Sequence, residues 1–132
     1  MLVSQILKSK SDDAVLTVPP TMLVSQAARM LSERRIGTVV VSHDGKSADG
    51  ILSERDIVRE IGAQGAGCLD ATVDTYMTSN LVTCVRADLA DEVLQKMTDG
   101  RFRHMPVIEN GELVGLISLG DVVKARLAEL AM

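Results

Sequence analysis

Two short runs of this chain carry the same chemistry. Ser53-Glu54-Arg55-Asp56 and Ser118-Leu119-Gly120-Asp121 each place a hydroxyl three residues ahead of a carboxylate. Each follows a short apolar run, Gly50-Ile51-Leu52 or Gly115-Leu116-Ile117, and each opens a helical pattern. At a helix start this spacing makes a capping-box variant, in which side chains satisfy backbone N–H groups that have no partner inside the helix. The same position is an anion site, because exposed N–H groups and the helix dipole favour phosphate and the Ser hydroxyl can donate to it. The two readings are compatible.

A phosphate beside a carboxylate needs cations nearby. Arg55 supplies one in the first motif, whereas Gly120 stands at its counterpart. Upstream, the second half carries Arg101, Arg103 and His104 where the first has Arg34, Arg35, Ile36 and Gly37, so the two sites are chemically unequal. Each arginine also fits the plainer role of a solvated face. His43 and His104 lack a carboxylate or thiol partner at recognisable spacing, which predicts neither a metal site nor a nucleophilic dyad. Cys68 and Cys84 have no metal-ligand spacing and read as free thiols. With no asymmetric catalytic set visible and one motif present twice, the residues point to binding and not to an enzyme.

The elements that position these motifs are themselves duplicated. Gly50 to Arg59 returns as Gly115 to Lys124, a shift of 65 residues. Val24, Ala27, Ala28 and Leu31 form an amphipathic helical stripe that Ala90, Val93, Leu94 and Met97 repeat, and Thr17-Val18 and Thr83-Cys84 precede the two stripes. Between stripe and motif lie the runs Thr38-Val39-Val40-Val41 and Met105-Pro106-Val107-Ile108. These are continuous apolar strands, which predicts burial on both faces. The turns are Asp44-Gly45, within a longer loop, and Asn110-Gly111, within a tight one.

Each half therefore reads β-α-β-β-α in an α/β (α+β) fold. A unit of about 60 residues is near the lower limit of self-sufficiency, so the halves are expected to pack sheet to sheet with pseudo-twofold symmetry. The expected division is 1–64, with an N-terminal helix carrying Leu2, Val3, Ile6 and Leu7, and 65–132, led in by Leu69 to Met77. Gly62 to Gly67, with three glycines in six residues, is the expected linker.

Composition narrows the partners. Hydrophobic residues make up 46% and charged residues 24%, which fits a packed globule and excludes disorder. One Phe, one Tyr and no Trp leave almost no base-stacking platform, and a net charge of -4 opposes attraction to a polyanion, so nucleic acid is not expected. The start, Met1 to Lys8, is too short and polar for a signal peptide, and no run reaches the roughly 18 apolar residues of a membrane span. The expected location is the cytoplasm, away from membranes.

The paired Gly-x-x-Ser-x-x-Asp motifs, the run Thr17-Val18-Pro19-Pro20 and the strand runs containing Pro106-Val107 together resemble the tandem cystathionine-β-synthase (CBS) domain pair, or Bateman module. The phrases Ser53 to Arg59 and Arg101 to Val107 are similar to those of small stand-alone prokaryotic pairs. The resemblance covers nearly the whole chain and implies clefts between repeats that bind an adenosine-containing ligand such as AMP, ATP, NAD or S-adenosylmethionine. It implies that Asp56 and Asp121 accept hydrogen bonds from ribose hydroxyls. One cleft would set adenine near Thr17, Ile36 and Gly37, with Ser118 and Asp121 holding ribose and phosphate, helped by Arg103 and His104. The other would use Thr83 and the chain from Arg101 and Phe102 to Met105, with Ser53, Arg55 and Asp56. It also implies a homodimer with no required cofactor, the nucleotide acting as a regulatory ligand, and an unidentified client protein. An alternative is an interaction or dimerisation module with vestigial clefts.

Overall fold

The computed structural model describes residues 1–10 and 15–131. Along the chain run α1 (Val3–Ser9), β1 (Thr17–Val18), α2 (Val24–Arg34), β2 (Thr38–Val41), β3 (Gly50–Ser53), α3 (Glu54–Gln64), a 3₁₀ turn (Ala66–Asp70), α4 (Val73–Tyr76), α5 (Ala90–Gly100), β4 (His104–Glu109), β5 (Glu112–Ser118) and α6 (Leu119–Leu130). Two compact units result, Leu16–Leu81 and Met1–Val15 with Val82–Met132.

In the Leu16–Leu81 unit, β2 is the middle strand, parallel to β1 and antiparallel to β3. All four residues of β2 are buried, as their unbroken apolar run predicts, and the Thr38 hydroxyl donates to the Leu52 carbonyl at 3.1 Å. Val24, Ala27 and Leu31 turn the buried face of α2 onto this strand core, with Ile57 and Val73 joining them.

The other unit repeats the plan with β4 and β5 as a hairpin. Its turn is Asn110-Gly111, both at positive φ (52° and 78°), the conformation for which that dipeptide is suited. A bulge at Val107/Ile108 shifts the register of the pair. The counterpart of β1 is reduced to one parallel bridge, from Cys84 to Val107. Val93, Met97, Met105, Val107, Ile117 and Val122 form its core.

The packing units are not contiguous in the sequence. Val3 and Ile6 of α1 sit in the same core as Val107 and Ile117, so the N-terminal helix packs with the C-terminal repeat. Conversely, α3 continues to Gln64, Gly65 stops it at φ 81°, and the following 3₁₀ turn and α4 pack within the first repeat's unit. The glycine-rich stretch is thus mostly a helix end and not an open linker.

The two lead-in segments are equivalent. Ala90 N–H donates to the Met1 carbonyl and Val3 N–H to the Asp88 carbonyl, as Val24 N–H does to Ala71 and Val73 N–H to Met22. A methyl placed on Gly115 would lie 2.7 Å from Leu7 Cδ2, and one on Gly50 would lie 2.5 Å from Met77 Sδ. Glycine at the head of each strand motif is therefore what admits the incoming segment.

Candidate functional site

Each unit builds its Ser-x-x-Asp helix start in the same way. Ser53 caps α3: its Oγ accepts from Asp56 N–H at 3.1 Å, and Asp56 Oδ2 accepts from Ser53 N–H at 2.9 Å. Ser118 and Asp121 repeat both bonds at the start of α6, at 3.0 and 2.9 Å. The next amide is also taken up within the unit. Glu54 N–H donates to the Gly37 carbonyl at 2.9 Å, and Leu119 N–H to the Arg103 carbonyl at 2.7 Å.

These bonds tie the strand-leading residues to the helix start of their own unit. Thr38 is the register partner of Ser53, and His104 that of Ser118. Arg35 and Arg101 are equivalent left-handed C-caps, with φ of 52° and 56°, which aligns Gly37 with Arg103 and Thr38 with His104. Arg55, Arg101 and Arg103 are exposed, whereas Thr17, Ile36, Gly37 and His104 are half-buried. Thr83 is exposed beside the Cys84 bridge. Met105 is fully buried in the core, so packing accounts for its side chain. Thr17, Ile36, Gly37, Ser53, Arg55 and Asp56 belong to one unit; Thr83, Arg101, Arg103, His104, Met105, Ser118 and Asp121 belong to the other.

Two cations at these starts escaped the sequence reading. Arg59 Nη2 lies 3.0 Å from Asp56 Oδ1, an i,i+3 pair that helix periodicity could have revealed. Lys10 Nζ lies 2.9 Å from Asp121 Oδ2 and donates to the Leu116 carbonyl at 2.8 Å. No local pattern signals a contact between residues so far apart in the chain. Burial by itself would raise the Asp121 carboxyl, but the Ser118 N–H and the Lys10 ammonium outweigh it and hold the group below the ordinary 3.8.

The remaining reactive groups are placed as follows. Both cysteines are buried and free, and burial together with Asp88 pushes the Cys84 thiol up to about 11, leaving it protonated and unreactive at neutral pH. His43 sits in the β2–β3 loop with Nδ1 2.8 Å from Asp49 Oδ2, and that carboxylate raises its pKa. Among the described residues there is no cluster of three or more His, Cys, Asp or Glu able to hold a metal, and no helix long and apolar enough to cross a membrane.

With the geometry duplicated in this way, comparison with known proteins is decisive. The model of the CBS domain matches residues 3–63 and again residues 73–128. The chain belongs to the CBS-domain family. The CBS-domain containing protein ATU1752 from Agrobacterium tumefaciens has a similar crystal structure, 43% identical, covering 96% of this CBS pair and 99% of that chain at a TM-score of 0.90. The CBS domain protein PAE2072 from Pyrobaculum aerophilum, solved complexed with AMP, is 28% identical and covers 99% and 98% at 0.83. Among curated proteins, the CBS domain-containing protein CBSX3, mitochondrial, of Arabidopsis thaliana is 33% identical over 96% of this chain and 65% of that one. Against CBSCBSPB1 of the same plant, 32% identical over 87% of this chain, the CBS pair spans about a fifth, 21%, of the relative's length.

Proposed function

We propose that this CBS pair is a non-catalytic regulatory module that binds an adenosine-containing ligand of the AMP, ATP or NAD type at its duplicated helix starts. The observation that carries the reading is the pair of starts themselves. Each holds a Ser and an Asp in one hydrogen-bonded geometry, on a chain similar along nearly its whole length to a protein whose structure is complexed with AMP. In this reading Asp56 and Asp121 accept ribose hydroxyls, while Arg55, Arg101, Arg103 and His104 approach the phosphate end. Thr17, Ile36, Gly37, Thr83 and the chain at Met105 line the adenine. The ligand then shifts a conformational equilibrium only as far as its affinities for the two states differ.

Thermal melting tests this directly. A ligand that binds only the folded chain stabilises it by about 2.7 kcal/mol at a hundredfold excess over Kd. At least one of AMP, ATP, NAD and S-adenosylmethionine, at millimolar concentration, is expected to raise the melting temperature. Asp56→Ala and Asp121→Ala should each remove part of that gain without unfolding the chain. No shift with any of the four, or an unchanged shift in the double variant, rejects the reading.

A second reading, an interaction or homodimerisation module, has its own support. Val58 on α3 and Val123 on α6 stand at equivalent positions and are 68% and 43% exposed, and Leu127 and Leu130 extend the second stripe at 62% and 70%. The melting experiment separates the two readings, because an interaction module with vestigial clefts gains no stability from any of the four nucleotides, whereas self-association alone fits both.

A further inference from the structure

The two helix starts are matched in Ser and Asp but not in how the carboxylate is neutralised. At α3 the cation comes from the same helix and occupies the second oxygen. Asp56 Oδ2 takes Ser53 N–H, and Oδ1 takes Arg59, whose side chain is 62% exposed. At α6 both contacts fall on one oxygen: Asp121 Oδ2 accepts from Ser118 N–H and from Lys10, at 2.9 Å each. Lys10 is 26% exposed against 62% for Arg59, so the cation at α6 is the better shielded of the two, although Asp121 at 23% is more exposed than Asp56 at 11%.

Lys10 reaches this position because α1 is seated firmly. Val3 and Ile6 are in the core, Leu7 lies against Gly115, and Lys10 then spans to the Leu116 carbonyl and the carboxylate beyond. In the other unit Met77 lies against Gly50 as Leu7 does against Gly115. Counting on three residues puts Asn80 where Lys10 stands. The lead-in segment of that unit therefore offers no cation at the matching step.

We propose that Lys10 is a specificity-determining residue of the Ser118–Asp121 site. By cancelling the Asp121 charge through Oδ2 while Oδ1 stays directed to sugar hydroxyls, it makes this half select adenosine ligands that bear a negatively charged phosphate over uncharged nucleosides. The inference rests on the nucleotide reading above. Without Lys10 the carboxylate repels a phosphate attached to the sugar it holds; with Lys10 that repulsion is cancelled, and the ammonium's acceptors among the described residues, the Leu116 carbonyl and Asp121, take up two of its three N–H groups.

Calorimetric titration of AMP and of adenosine into an Asp56→Ala chain, in which Ser118–Asp121 is the intact half, tests the proposal. Lys10→Met is expected to weaken AMP about tenfold and to leave adenosine within about twofold, and Lys10→Arg to restore most of the AMP affinity. Equal weakening of both ligands would assign Lys10 a purely structural role, and no change in either would remove it from the site. If Lys10→Met fails to fold, salt dependence decides on the Asp56→Ala chain itself. AMP affinity must fall with ionic strength while adenosine affinity holds, and a flat AMP response overturns the proposal. A chain that binds neither ligand overturns this inference, and the nucleotide reading falls with it only if ATP, NAD and S-adenosylmethionine also leave the melting temperature of the unaltered chain unchanged; one that binds both, with no discrimination by Lys10, rejects the inference alone.

Discussion

At the scale of single residues, the Ser and Asp of each motif have a structural task before any ligand arrives. Their reciprocal bonds satisfy amides at the start of α3 and α6, and the carbonyls of Gly37 and Arg103 satisfy the next. The presence of Ser and Asp in both motifs is thus explained in part by folding alone, which makes substitution at the carboxylate informative for stability as well as binding. Because its neighbours lower the Asp121 pKa from 3.8, the charged form stabilises the fold above the unfolded value, and that contribution is lost as pH falls through the folded one. Asp121→Asn should be less stable than the parent by about 1–3 kcal/mol at pH 7. The difference should begin to narrow below about pH 3.9, the unfolded value, and close further down as the folded carboxylate takes up its proton. Urea denaturation across this range measures it, and a constant gap would mean that charge at Asp121 contributes nothing.

At the scale of elements, the decisive contact is α1 against β5. Gly115 leaves the space that Leu7 fills, so Gly115→Ala must displace Leu7 or strain the strand. The expected cost is about 1–3 kcal/mol, the usual range for overpacking a well-filled site. Adding Leu7→Ala should relieve the clash, giving a double variant more stable than the sum of the two single changes implies. Additive losses would show that the two residues do not press on each other. The same element carries Lys10, so loosening α1 should also reduce the preference for AMP over adenosine.

At the scale of the whole molecule, sequence order and packing order are exchanged. The first segment of the chain belongs to the unit that contains its last helix, and the segment around α4 belongs to the unit of the first repeat. Deleting residues 1–9 removes Val3 and Ile6, both at most 1% exposed, from the core around Met97, Met105 and Ile117. Hydrogen exchange on that deletion should show protection lost in β4, β5, α5 and α6 far more than in β1 to β3. Loss confined to β1–β3 would refute the assignment of α1.

Much was legible in the sequence because its determinants are local. The stripes Val24-Ala27-Leu31 and Ala90-Val93-Met97, the apolar run of β2, the Asn110-Gly111 turn and the Ser-x-x-Asp helix starts all depend on residues within a few positions of each other, and the repeat printed each pattern twice. Arg59 beside Asp56 was within reach of the same reasoning, being one helical turn away. Only the tertiary structure decided which repeat receives α1 and that Lys10 serves Asp121. An amphipathic helix such as α1 records in its periodicity that one face must be buried, but nothing in that periodicity states against which surface. The answer depends on a cavity shaped by glycine at position 115 and on a charge at position 121, more than a hundred residues along the chain.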